Sequence, residues 1–341
     1  MTPDVRAFAL GLPKAELHVH LEGTLEPEMM FELAARNNIS LPFSTVQAVR
    51  AAYDFSNLQS FLDLYYAGCA ALVTEDDFYD LTWAYLVHAA EENITHVEPF
   101  FDPQTHTDRG VLFGTVVAGI LTALEDGADR FGISYRLIMS FLRDQPTESA
   151  LRTLEHAKLY GHRIVGVGLD SAELGHPPED FAEVFEIARD RGYHVVAHAG
   201  EEGPPSYITG ALDALGAERI DHGYSCLQSP QLMERLARDR VPLTVCPLSN
   251  VRLRVVDSME AHPIKQLMDA GLMVTVNSDD PAYFGGYLTD NYVAVAEALG
   301  LGLSDLATLA EASFEASFLD QDAKDARIAE VRAYAASHGV E

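Results

Sequence analysis

The chain has 341 residues, the size of a single α/β barrel and enough to bury a large core. With 48% hydrophobic and 22% charged residues it reads as globular, without the composition of a disordered chain and without an apolar run that approaches a membrane span. Its 23 Lys and Arg against 52 Asp and Glu give a net charge of −29, which argues against nucleic acid and anionic membranes as partners.

The N-terminus, Met1-Thr2-Pro3-Asp4-Val5-Arg6, lacks a basic region followed by an apolar core. Cys69, Cys226 and Cys246 are odd in number, widely spaced and without a CxxC pair, which fits a reducing compartment. Both features predict a cytoplasmic protein, and a homo-oligomer is compatible with the sequence.

From Lys14 onward, eight short strand-like segments alternate with helix-like stretches. They are Ala15 to Leu21, Thr95 to Phe101, Ser134 to Phe141, Ile164 to Asp170, His194 to Ala199, Arg219 to His222, Pro242 to Cys246 and Met273 to Asn277. Between the fourth and fifth, Phe181, Val184, Phe185 and Ala188 recur at helical spacing over Pro178 to Arg191. Eight such units predict one (β/α)₈ barrel domain over 1–341. A doubly wound sheet would often carry GxGxxG after its first strand, where this chain has His18-Val19-His20-Leu21-Glu22-Gly23.

The connection after the first strand, about 24–93, is long for a βα loop and predicts a helical lid at the barrel mouth. Within it Leu58, Phe61, Leu62 and Tyr65 fall at i, i+3, i+4 and i+7 and make one apolar helix face. That face either covers a flat ligand or packs onto the domain body. After Phe318 the chain is a polar, Ala-rich helical pattern.

A barrel collects its catalytic groups at the C-terminal strand ends. Those ends carry His18 and His20, then His198 with Glu201 beyond it, then His222, then Asp279 and Asp280. His18 and His20 are two apart, so a strand turns both to one face. With His198 and an Asp they make a three-nitrogen, one-oxygen set suited to zinc, against the competing reading of buried structural histidines. A catalytic zinc keeps a position for water and lowers its pKa toward neutrality. Glu201 is the natural proton carrier beside it, while Glu202 fits a helix N-terminal carboxylate better. His222 holds or polarises the water, or is an internal hydrogen-bonding group. Adjacent carboxylates do not easily face one ion. Asp279 is therefore assigned to the metal and Asp280 to a nitrogen of the substrate, with an Asx-turn or cap before Pro281 as the alternative for Asp280.

From Leu12 to about Tyr292 the chain resembles the adenosine/adenine deaminases of the amidohydrolase superfamily. The resemblance is carried by Leu12-Pro13-Lys14-Ala15-Glu16-Leu17-His18-Val19-His20-Leu21-Glu22-Gly23, His198-Ala199-Gly200-Glu201, Asp221-His222-Gly223, Val245-Cys246-Pro247-Leu248-Ser249-Asn250 and Asn277-Ser278-Asp279-Asp280-Pro281, in family order. It implies one zinc per chain held by His18, His20, His198 and Asp279. It further implies Glu201 protonating purine N1, His222 and Asp279 orienting and deprotonating the water, and Asp280 hydrogen-bonding N7. Two absences sharpen the class. The fourth strand ends Gly168-Leu169-Asp170-Ser171 without the lysine that bridges two metals in binuclear relatives, and the HxE and PCxxC pattern of the cytidine-deaminase class is missing.

The departures bear on which purine is used. Nucleoside enzymes usually show HLDG, whose Asp reaches the ribose; here Glu22 pushes a carboxylate into that space. Ser171 stands where they show a glycine, which affects the usual backbone contact to N3. Gly200-Glu201-Glu202-Gly203-Pro204-Pro205-Ser206-Tyr207-Ile208 and Asp280-Pro281-Ala282-Tyr283-Phe284-Gly285-Gly286-Tyr287 are similar to the adenine deaminase branch. The resemblance therefore implies a free purine base as ligand and the conversion of adenine to hypoxanthine and ammonia, a purine-salvage reaction. Adenosine or an N6-substituted adenine accommodated by Phe61, Leu62 and Tyr65 is the alternative substrate. A purine-binding protein without turnover, or hydrolysis of an amide or phosphoester on the same metal, is the alternative class.

Overall fold

The structure is a computed structural model that describes residues 4–340. Met1, Thr2 and Pro3, which belong to the N-terminal reading above, lie outside the described residues, as does Glu341. Among the described residues, ten short strands run in parallel: β1 (Lys14–Glu16), β2 (Ile94–Val97), β3 (Phe100–Phe101), β4 (Ser134–Tyr135), β5 (Leu137–Leu142), β6 (Ile164–Asp170), β7 (His194–Ala199), β8 (Arg219–His222), β9 (Leu243–Val245) and β10 (Val274–Val276). They form eight staves, because β2 and β3 continue one another, as do β4 and β5. The order β10-β9-β8-β7-β6-β5-β3 is a curled sheet, and β1-β2-β4 completes the ring.

Single bridges close the circle at the top: Val19 pairs with Asp279 and His20 with Phe100. This is the (β/α)₈ barrel that the alternation of segments predicts. The segments at β6, β7 and β8 coincide with the predicted ones. Elsewhere the expected strands are shorter or broken, for reasons of hydrogen bonding. The first was expected over Ala15 to Leu21, but the Leu17 N–H donates to the side chain of Asn277 (2.9 Å), so the backbone ladder stops at Glu16. The second breaks at Pro99, which has no N–H to give. The third breaks at Arg136, which lies between the two pieces and sends its N–H to the Val97 carbonyl (2.9 Å).

The floor of the barrel is filled by Phe100, Ile138 and Val196, with Phe318 packed beneath them. Arg219 pairs there with Glu98 at 2.7 Å, both side chains being buried. Outside the ring, apolar side chains from the surrounding helices and from the connection after β1 join the large core cluster. That connection contains the helices Pro27–Asn37, Val46–Ala51, Leu58–Cys69 and Glu75–Glu91. Helix Leu58–Cys69 starts in a capping box between Asn57 and Ser60 and buries Leu58, Phe61, Leu62 and Tyr65. The helix predicted over Pro178 to Arg191 begins with a 3₁₀ turn, Pro178–Phe181, and continues as Ala182–Asp190. The last helix is Gln321–Ser337.

Candidate active site

Four staves end in a residue with left-handed backbone. These are Ser171 after β6 (φ 71°), Gly200 after β7 (φ 76°), His222 at the end of β8 (φ 65°) and Asp279 beyond β10 (φ 65°). Three of them are not glycine, a conformation that costs energy and that surrounding structure has to enforce. Each turns its stave sharply, so the side chains of His222 and Asp279 enter the mouth of the barrel.

The cavity at that mouth encloses about 390 Å³ not filled by atoms, part of it open to solvent. Its polar side is made by His20, His198, Glu201, His222, Asp279 and Asp280, and its wall by Asp102, Asp170, Ser171 and Tyr66. Leu58, Phe61, Leu62, Tyr65, Leu253 and Phe284 cover it. Five of the residues predicted to meet the substrate, Asp280, Ser171, Phe61, Leu62 and Tyr65, therefore line one cavity. Glu22 does not. Its Oε1 accepts from His106 Nε2 (2.8 Å) and from the Asp102 N–H (3.1 Å), so the longer side chain is turned into the wall and the carboxylate facing the cavity is that of Asp102. Arg109 donates to His106 Nδ1 (2.8 Å), which leaves the Nε2 proton for Glu22.

The donor atoms of His18, His20, His198 and Asp279 converge. His20 Nε2 and His198 Nε2 are 3.2 Å apart, His18 Nε2 and Asp279 Oδ1 3.1 Å, and His20 Nε2 and Asp279 Oδ1 3.5 Å. Ligand bonds of about 2.0–2.1 Å in tetrahedral arrangement imply donor–donor edges of about 3.4 Å, so the spacing fits a zinc-sized ion. His18, His198, His222 and Asp279 also bring one donor each within 4.8 Å of one another. His222 Nε2 stands 3.9 Å from Asp279 Oδ2 and 3.7 Å from Glu201 Oε1, facing both carboxylates.

Behind these donors lies a row that the sequence reading missed. The strand register sets His198 opposite Asp221 and Asp221 opposite Thr244. Thr244 Oγ1 donates to Asp221 Oδ1 (2.7 Å) and lies 3.0 Å from His18 Nδ1, while Asp221 Oδ2 faces His198 Nδ1 at 3.5 Å. Carboxylates and hydroxyls on the far nitrogen fix the tautomer of a ligating imidazole. The available signal was a carboxylate inside a four-residue buried strand. Glu173, whose carboxylate holds the loop carrying Glu201, was equally invisible in its role.

The electrostatics divide the groups. Burial, with His18, His20 and His222 around it, pushes the His198 pKa well below the usual imidazole range, leaving a neutral ring with a lone pair to give. Burial lowers His222 to about 3. For Asp279 burial acts upward, but the histidines around it outweigh that and hold it well below the usual carboxylate range. Burial, then the charges of Asp279 and Glu173, push Glu201 well above that range, and burial with Asp279 does the same to Asp280. Two carboxyls whose pKa values are raised thus stand beside one whose pKa is lowered, the pattern of an acid–base site.

The sequence model of the adenosine deaminase family matches residues 13–334. An adenine deaminase of Caulobacter vibrioides is 55% identical over 331 residues, spanning 97% of this chain and 96% of that protein. The crystal structure of an adenine deaminase from Arthrobacter aurescens superposes with a TM-score of 0.94 at 49% identity, covering 95% of this chain and 99% of the other. An amidohydrolase from Burkhoderia ambifaria with bound zinc superposes with a TM-score of 0.91 at 29% identity, over 99% of this chain and 95% of the other.

Proposed function

The chain belongs to the adenosine deaminase family, and from that premise we propose that it hydrolyses adenine to hypoxanthine and ammonia. The observation that carries the chemistry is the meeting of Glu201, His222, Asp279 and Asp280 beside converging nitrogen and oxygen donors. In this reading His18, His20, His198 and Asp279 hold one zinc, which when bound supplies a polarised water at neutral pH.

The residues of the chain do the rest. Glu201 carries its proton to purine N1, which makes C6 electrophilic toward the water. His222 and Asp279 orient that water, and Asp279 takes one of its protons and returns it to the departing amine. The other goes back to the Glu201 carboxylate as C6 becomes a carbonyl, so that one water is consumed, one ammonia is released and Glu201 ends protonated. Asp280, whose pKa is raised by burial and by Asp279, donates a hydrogen bond to N7 in its protonated form. Asp221 and Thr244 hold the rings of His198 and His18.

The choice of a free base rests on the cavity and on the names of the relatives. The cavity is covered by Leu58, Phe61, Leu62 and Tyr65, and Glu22, at the position where a sugar-binding carboxylate would stand, is engaged with His106. Three buried free cysteines fit a cytoplasmic setting. Zinc-loaded protein assayed by direct absorbance on adenine, adenosine and N6-alkyl adenines tests the assignment. Turnover of adenine is expected to exceed the others, and turnover of adenosine without adenine overturns it. Metal content of one zinc per chain is expected by elemental analysis.

A further inference from the structure

Glu173 lies three residues beyond the end of β6, with its side chain buried. Its carboxylate accepts four consecutive backbone N–H groups: Gly200 to Oε1 at 2.6 Å, then Glu201 at 3.0 Å, Glu202 at 2.8 Å and Gly203 at 2.7 Å, all to Oε2. Four successive N–H groups point at one anion only where the backbone curls into a concavity around it. Gly200 begins the curl with its positive φ. Gly203 ends it, where a Cβ would come within 2.4 Å of Glu173 Oε1. The residue at the end of the stave is held from the other side, since Arg143 Nη1 donates to the His198 carbonyl at 2.7 Å.

Glu201 belongs to neither a helix nor a strand, so no ladder fixes its backbone. We infer that Glu173 is a positioning residue for the deamination: by binding the N–H groups of residues 200–203 it fixes where the Glu201 carboxyl stands relative to the purine ring. The inference rests on the reading of Glu201 as proton carrier given above. Hydrogen bonds to an ionised acceptor are the stronger class, and four of them on one group leave the loop a single arrangement. Misplacing a reacting group by about 1 Å costs about 100-fold in rate, which sets the scale of the effect.

The test uses the zinc-loaded full chain and adenine. Glu173→Gln replaces one acceptor oxygen by an NH₂ that faces N–H donors. The expected result is a kcat lower by about 10- to 100-fold, with KM within about threefold of the parent and unchanged metal content. In a Glu201→Gln background, followed in single turnover, adding Glu173→Gln should change the residual rate by less than about twofold, because Glu173 acts through Glu201. A kcat per bound metal within about twofold of the parent, a loss carried by KM alone, or a full multiplicative loss in the Glu201→Gln background each overturns the inference. Where Glu173→Gln does not fold, Glu173→Asp takes its place: it keeps the charge but withdraws the oxygens by one methylene, and the same outcomes apply. Glu201→Gln alone tests the reading beneath. If it keeps the parental rate, the proton carrier is misassigned, whatever Glu173→Gln shows.

Discussion

Glu201 and His198 are three residues apart and do opposite things with a proton. Burial and the nearby charges of Asp279 and Glu173 raise the pKa of Glu201, whereas burial among three other imidazoles lowers that of His198. Glu201→Gln should therefore retain zinc and purine binding while kcat falls by about 10²- to 10⁴-fold, because an amide has no carboxyl proton to give. His198→Ala should lose the metal instead, read by elemental analysis, with activity lost in proportion. The residues proposed to meet the ion or the ring were legible as candidates in the sequence because they stand at predicted strand ends and two of them share a strand face. Asp221, Thr244 and Glu173 were not. Asp221 and Thr244 reach the site through register between strands, and Glu173 through a loop from the next stave, so no local pattern announces them.

The helix Leu58–Cys69 brings its apolar face over the cavity, and its first turn depends on one cap. Asn57 Oδ1 accepts the Ser60 N–H (3.0 Å), and Ser60 Oγ accepts the Asn57 N–H (3.2 Å). Asn57→Ala should cost about 1 kcal/mol of stability in denaturant unfolding. It should also raise the KM for adenine, because Leu58, in the first turn, is part of the cover. At this scale β6, β7 and β8 were readable as unbroken buried runs. The staves near the closure were not, because Asn277 and Pro99 remove backbone partners that a strand pattern takes for granted. The breaks fall where the first stave bends to bring Val19 and His20 against Asp279 and Phe100.

Across the whole molecule, the floor is as important as the mouth. Glu98 is wholly buried, which alone would raise its pKa, but Arg219 and His96 outweigh burial and hold it at about 2 against an ordinary value of 4.5. A depressed carboxylate stabilises the fold fully above its unfolded pKa and progressively less as pH falls from 4.5 toward 2. Arg219→Leu should remove about 3–5 kcal/mol at neutral pH, seen as a lower urea midpoint, because the Glu98 charge is left unpaired. The same variant should lose less additional stability on acidification than the parent does. The packing of Phe318 under Phe100, Ile138 and Val196 has a consequence for traffic. Among the described residues it fills the barrel beneath the site, so that in the proposed reaction water, base and both products are expected to pass through the one mouth above.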